Sequence, residues 1–251
     1  ARPESAAALR GITMEGPFFS MGKRGAQNPE HLRLPDAALF ARLQREAAGL
    51  IRIACIAPEL PGALDCICTV AAEGVKVSLA HTEADYDTAS AAFDAGASHV
   101  THLFNAMPPL LHRAPGVIGA ASERETVTAE LIADGIHVHP SAVRAAFRLF
   151  PGRVCLVSDA LSACGMPEGE YMLGGQAIRV SGQRAMLSDG TLAGSMATLF
   201  NCMKNAVRFG VPAEEAVRAA SYTPARVIDA DGETGAIREG LAADLLLCGM
   251  D

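Results

Sequence analysis

Two apolar runs, each ended by a histidine, limit what this chain can fold into more than any other feature. Residues 75–102 read VKVSLAHTEADYDTASAAFDAGASHVTH. The run 75–80 stops at His81, and a helical stretch follows over 84–95 with Gly96 placed as its C-terminal cap. A second apolar run then stops at His102, 21 residues after the first histidine. An apolar run, a helix and a second apolar run make a β-α-β unit, whose two strands lie parallel in one sheet with their carboxyl ends side by side. Two neutral imidazoles on neighbouring rigid strands suit a divalent transition metal.

The same rhythm extends in both directions. A short run over 11–14 ends at Glu15, and 37–48 reads as a helix. Residues 51–57 form a strand ending at Pro58-Glu59, and 61–72 are helical. Residues 127–133 lead into Asp134-Gly135-Ile136-His137, Pro140 opens a helix to Phe150, and 154–157 end at Ser158-Asp159. Six β-then-α units in order argue for a parallel α/β sheet with right-handed crossovers. No glycine-rich dinucleotide loop follows the first strand. Polar residues gather at the strand ends (Glu15, Glu59, His81, His102, His137, Asp159), as on the catalytic face of a (β/α)8 barrel. Such a barrel needs eight strands. The expected fold is therefore a (β/α)8 TIM-like barrel lacking about two N-terminal strands, with the opening residues ARPESAAALR read as the tail of a helix.

Beyond Asp159 the pattern changes. Residues 171–190 alternate and turn at Ser181-Gly182, which reads as a β-hairpin insertion near 170–190. The turn 191–195 is expected to open a helix to Phe209, 212–221 to form another, and 244–247 a last strand. Residues 1–235 are thus assigned to the partial barrel, and 236–251 to a strand belonging to a small β-sandwich.

Composition excludes several roles. Half of the 251 residues are apolar, 20% are charged and the net charge is −7, with no basic block. That suits one large core and argues against a nucleic-acid partner. No run approaches bilayer length, so no membrane role is expected. The seven cysteines, 55, 66, 68, 155, 164, 202 and 248, lie mostly in apolar runs without zinc-finger spacing. They read as buried thiols of a cytoplasmic protein.

Read residue by residue, the strand ends suggest chemistry. Glu15, followed at once by Gly16-Pro17, serves either a metal or a loop cap. One carboxylate with His81 and His102 makes a zinc-type set with a position open for water. His99, three residues before His102, is read as facing the opposite side and structural. Asp159 is placed to act as general base on a water, or to cap its turn. His137 could polarise a carbonyl, and His139 enters the next helix. Arg113, in the proline-rich loop NAMPPLLHRAPG, suits a phosphate or carboxylate, or else is a solvated surface group; Lys23-Arg24 is equally open. Residues 192–195 offer backbone N–H groups at a helix start.

Taken together, MEGPFFS with KRGAQNP, IAPE, SLAHT, THLFNAMPP with HRAPG, IADGIHVHP, LVSDA and GTLAGS resemble the N-acetylglucosamine-6-phosphate deacetylase family of the amidohydrolase superfamily, from about Gly11 to Leu247. The resemblance implies a metal-dependent barrel with a small β-sandwich. It implies that Glu15, His81 and His102 are metal ligands and that Asp159 is the catalytic acid/base, joined by His137. It places Ala26, Gln27, Asn105, Ala106, Arg113, His137, Leu192, Ala193 and Gly194 at a sugar phosphate. It further implies a homodimer in which Arg113 reaches the neighbouring subunit's phosphate. Zinc is the expected ion, with iron or another divalent ion also compatible. The first barrel strand, where many superfamily members carry a second metal pair, is missing, so one ion and two ions both stay open. The expected reaction is removal of the acetyl group from N-acetylglucosamine 6-phosphate. The alternatives are another deaminase or cyclic amidase of the superfamily, or a non-catalytic truncated fragment.

Overall fold

The computed structural model describes residues 7–247. Its centre is a six-stranded parallel sheet in the order β1-β2-β3-β4-β5-β6, built from β1 (Ile12–Phe18), β2 (Ile51–Ile56), β3 (Lys76–Leu79), β4 (Ala97–Val100), β5 (Thr128–Leu131) and β6 (Val154–Leu156). Helices connect successive strands: α1 (Ala37–Glu46), α2 (Ala63–Ala72), α3 (Tyr86–Asp94), α4 (Gly116–Ser122) and α5 (Pro140–Leu149). Among the described residues β1 and β6 each pair on one side only. This is the expected barrel wall with its ring left open.

Side-chain alternation divides the sheet into two faces. Ala54, Ile56, Val77, Leu79, Val100, Ala129, Leu131, Val154 and Leu156 pack with the helices in the main core. The opposite face carries Ile53, Cys55, Ala80 and Cys155, which cluster with Phe19 and Val227. It also carries a buried polar layer. Thr101 hydrogen-bonds Ser78 (2.6 Å) and approaches Cys55, while His99 bonds Thr128 (2.6 Å) and Glu130 (3.1 Å). His99 is structural as expected, although the alternation argument does not carry through to His102. The ladder ends at Val100↔Ala129, and His102 lies beyond it with φ 34.

Several local expectations need correction. Glu15 does not end β1 but lies inside it, at a bulge: the register jumps from Met14↔Ala54 to Phe18↔Ile56. Bulges re-aim side chains, and Gly16, at φ 106, supplies the turn that only glycine takes without strain. The hairpin near 170–190 is a three-stranded antiparallel meander of β7 (Gly169–Leu173), β8 (Gln176–Ser181) and β9 (Arg184–Leu187). Residues 191–195 do not open a helix. Helix α6 (Leu199–Arg208) starts later, at Thr198, whose hydroxyl accepts the Asn201 N–H. It is followed by α7 (Ala213–Ala220) and α8 (Tyr222–Val227). Residues 244–247 form no strand, because a strand needs a ladder partner and they pair with none of the described residues; Leu246 and Leu247 are 80% and 104% exposed. Residues 7–11 are not helical, and residues 1–6, Cys248 and the end of the expected 236–251 segment lie outside the described residues. Among the described residues no helix is long and apolar enough to cross a membrane.

Phe18 is fully buried just past the bulge that aims Glu15. Phe18→Ala is expected to cost about 3–5 kcal/mol of unfolding free energy, read as a lowered urea midpoint. A loss under about 1 kcal/mol would mean that this end of β1 is not locked into the core.

Candidate metal centre

Side chains from three strands converge: Glu15 from the bulge inside β1, and His81 and His102 from just beyond β3 and β4. Glu15 Oε1 lies 2.9 Å from His81 Nε2 and 3.2 Å from His102 Nε2, and the two Nε2 atoms are 3.1 Å apart. The tautomers follow from the far side of each ring. His81 Nδ1 lies 2.7 Å from the Lys23 carbonyl oxygen, and His102 Nδ1 lies 3.2 Å from that of Asn105. A carbonyl only accepts, so each Nδ1 carries the hydrogen and each neutral ring turns an Nε2 lone pair inward. Two lone pairs and a carboxylate oxygen then face one another. Such a donor set fits a divalent cation, with backbone carbonyls orienting the imidazoles as they commonly do in metal sites.

The backbone is bent to make this convergence. His81, His102 and Asp159 all hold left-handed conformations, with φ of 47, 34 and 47. Non-glycine residues in that region cost of order 1–3 kcal/mol each and tend to cluster at functional sites. Phe19 stacks on His81 at 4.3 Å between ring centroids, fixing its plane. Glu59, for which the sequence suggested no role, clips the turn after His81: its carboxylate accepts from the Thr82 hydroxyl and the Glu83 N–H. A strand-end carboxylate one strand away from a candidate ligand was the only sequence signal for it.

Asp159 lies half-buried at the same cavity. Burial, reinforced by the Glu15 charge, raises its carboxyl to about 6 despite opposing pulls from His102 and His137. Burial works against ionisation of Glu15, but hydrogen bonds and charge from His102 and His81 outweigh it and hold that carboxyl well below the usual range. Burial likewise disfavours protonated His102, yet Glu15 raises it overall.

A cavity of about 390 Å³ opens over the cluster. Its lining brings together Glu15, His81, His102, Asp159 and His137 with Ala26, Gln27, Asn105, Ala106, Leu192, Ala193 and Gly194. Arg113 does not line it; that residue is exposed in the turn closed by the Leu111↔Ala114 bridge. Lys23 lies at the cavity as well. The 192–195 segment contributes as extended chain rather than as a helix start. Ala193 N–H donates to Ala185 O and Ser195 N–H to Asp159 O, so those two donors are already engaged. Gly194 is required by close approach, since a Cβ there would sit 2.7 Å from the Asp159 carbonyl oxygen. His137 Nδ1 bonds Asp134 Oδ2 at 2.6 Å and Nε2 bonds the Ala193 carbonyl at 3.1 Å.

Residues 4–250 match the sequence model of the amidohydrolase family. The chain is 41% identical over 248 residues to N-acetylglucosamine-6-phosphate deacetylase of Bacillus subtilis, covering 98% of this chain and 62% of that protein. It is 36% identical to N-acetylgalactosamine-6-phosphate deacetylase of Escherichia coli O157:H7, covering 96% and 64%. Among solved structures it superposes with a TM-score of 0.88 and 39% identity on a mutant N-acetyl-D-glucosamine-6-phosphate deacetylase of Mycobacterium smegmatis in complex with N-acetyl-D-glucosamine-6-phosphate. That match covers 93% of this chain and 62% of that one. The chain thus spans somewhat under two thirds of the length of the curated relatives it matches.

Zinc in excess is expected to raise the melting temperature of the metal-free protein, as any ligand bound only by the folded state does. His81→Ala and His102→Ala should each abolish the rise. Glu59→Ala should weaken zinc affinity about 10–100-fold, measured by competition with a chromophoric chelator; an unchanged affinity would remove Glu59 from the site. A second expectation concerns the metal-free protein. The Asp159 carboxyl is raised from 3.8 to about 6 on folding, so the folded state keeps a proton that the unfolded chain has lost. Its ionisation therefore subtracts stability as pH rises through that window. Asp159→Asn should stabilise the metal-free protein at neutral pH by on the order of 1–3 kcal/mol and lose that advantage below about pH 4. Equal stability of the two proteins at neutral pH would contradict the burial of this charge.

Proposed function

The chain belongs to the amidohydrolase family, and from that premise we propose that it hydrolyses the N-acetyl amide of N-acetylglucosamine 6-phosphate, giving glucosamine 6-phosphate and acetate. One observation carries this reading. A carboxylate and two imidazole lone pairs face one another in a cavity that also holds the half-buried Asp159 carboxyl and eight of the nine residues expected at a sugar phosphate. The names of the relatives point to the same substrate class.

Glu15, His81 and His102 would hold the cation, which we take to be zinc on the strength of the two nitrogens and one carboxylate. When bound, it supplies Lewis acidity, making water acidic and the acyl carbonyl electrophilic. Asp159 accepts a proton from the attacking water as the new C–O bond forms. Its raised basicity relative to an exposed carboxylate suits that task, and the cation's charge lowers it again toward ionisation. His137 donates to the developing oxyanion, a contact worth roughly 3–4 kcal/mol for one good donor. As the C–N bond breaks, Asp159 returns its proton to the nitrogen, and the proton left on the new hydroxyl passes to the freed amine, so acetate and an ammonium leave with charges balanced. Ala26, Gln27, Asn105, Ala106 and the 192–194 segment hold the sugar phosphate around this centre.

We further read the working unit as a cytoplasmic homodimer. Arg113 is exposed and stands outside its own cavity's lining, which suits donation to a phosphate bound by a second copy. The six cysteines of the described residues are unpaired thiols, and four are buried, as suits a reducing compartment.

In the zinc-loaded protein, Asp159→Asn should lower kcat by about 10²–10⁴-fold while metal content, read by atomic emission, stays near one equivalent. Turnover near wild type would refute the base assignment. Arg113→Ala should raise KM for the phosphorylated sugar far more than for N-acetylglucosamine. Equal effects on the two would favour a deaminase or cyclic amidase acting on an unphosphorylated substrate. Assay of N-acetylgalactosamine 6-phosphate alongside tests the choice of sugar.

A further inference from the structure

The loop after β5 contains a second carboxylate that faces the cavity only through another residue. Asp134 is buried, with a side chain 2% exposed. Its Oδ1 accepts the N–H groups of Ile136 and His137, both at 2.8 Å, and its Oδ2 lies 2.6 Å from His137 Nδ1. Gly135, at φ 79, lets the chain curl round the carboxylate. The far nitrogen of the same ring, Nε2, lies 3.1 Å from the carbonyl oxygen of Ala193. Neither partner can donate: one is a carboxylate and the other a peptide carbonyl. A neutral imidazole has a single N–H and would leave a lone pair aimed at one of these oxygens. Both contacts are satisfied only when both ring nitrogens carry hydrogen.

We propose that Asp134 is a positioning residue that holds His137 doubly protonated, so that its Nε2–H serves as a fixed cationic donor to the acyl oxygen of the substrate. In the ligand-free state the Ala193 carbonyl takes that hydrogen. It is tied into β9 through the Ala193 N–H to Ala185 O bond, so it keeps the donor aimed at the cavity edge that both residues line. A substrate oxygen shares or replaces this acceptor. The surroundings are consistent. Asp134 raises His137 against the cost of burial, and Asp159, across from it on the β6 end, adds to the same effect. Cys202, on α6, is a neutral thiol held up at about 11. This role for Asp134 deepens the deacetylase reading and rests on it for the identity of the acceptor, though not for the charge on His137.

Asp134→Asn separates charge from structure. Asn Oδ1 still accepts the two backbone N–H groups, so the loop should keep its shape and the thermal melt should stay close to wild type. The Nδ2 group cannot accept from His137 Nδ1, so the ring should lose its second proton at neutral pH. Long-range 1H–15N spectra of the zinc-loaded protein, with His137→Asn as the assignment control, should show both His137 nitrogens protonated in the wild type at pH 7. The titration midpoint in Asp134→Asn should fall by at least one pH unit. The kcat for the acetylated sugar phosphate should drop about 10–100-fold and recover in part as the pH is lowered, since acid restores the missing proton. A merely structural residue would show no such recovery. A neutral His137 in an active wild-type enzyme would overturn the proposal and leave the deacetylase reading standing. An unchanged His137 titration in Asp134→Asn would also overturn it. A doubly protonated His137, lost in the variant, in a protein that never releases acetate would uphold the Asp134–His137 pairing and refute the deacetylase reading.

Discussion

Two imidazole lone pairs and one carboxylate oxygen face each other at about 3 Å, and no hydrogen belonging to the neutral side chains lies between them. The rest of the site follows from that constraint. The far nitrogens of both rings are committed to peptide carbonyls, so neither histidine can turn its hydrogen inward without breaking a bond. Positive charge must be supplied at the meeting point, by protons or by a metal ion. The sheet makes this enforceable, because parallel strands set rigid Cα positions while loops only have to orient the last side chain.

The cost of that orientation is visible in the backbone. His81, His102 and Asp159 each leave the strand by a left-handed turn that their side chains disfavour. The surroundings offset the strain with contacts that span the sheet. His81 O accepts the Ser20 N–H, Glu59 clips Thr82 and Glu83, and Thr82 N–H reaches the Ala106 carbonyl. Each of these ties one strand-end loop to another. A change in any loop should therefore be felt at the cluster, although the cluster itself sits on a buried and well-packed sheet.

Much of this was legible in the sequence, for one physical reason. Parallel strands covered on both faces read as unbroken apolar runs, so their ends are marked by the first polar residue, and those residues are the site. Glu15, His81, His102 and Asp159 could be placed that way, and the resemblance to a known family placed most of the cavity lining. What escaped lacked a periodic signal. Helix α4, GVIGAAS, is buried nearly all round and so shows no polar face. Glu15 was read as a strand end because a bulge, which breaks the alternation, is invisible to it. The start of α6 was placed at a glycine-rich turn, whereas Thr198 supplies the cap. Asp134 was read only as the residue into which the run 127–133 leads. The nearby His137 was the clue that its carboxylate has a second task, and only the fold shows the two oxygens divided between backbone and imidazole.

Asp159 differs from the three converging residues in kind: its half-buried carboxyl has a raised proton affinity that suits taking up and releasing a proton, while they turn the donors that a cation needs toward one another. Separating metal-holding from proton-moving residues is the central claim, and the coordination sphere tests it most directly. X-ray absorption spectra of the zinc-loaded protein should show low-Z scatterers at about 2.0–2.1 Å with the multiple-scattering signature of two imidazoles. That signature should persist in Asp159→Asn and fall to one imidazole in His102→Ala. A first shell without imidazole, or one unchanged by loss of His102, would contradict the account.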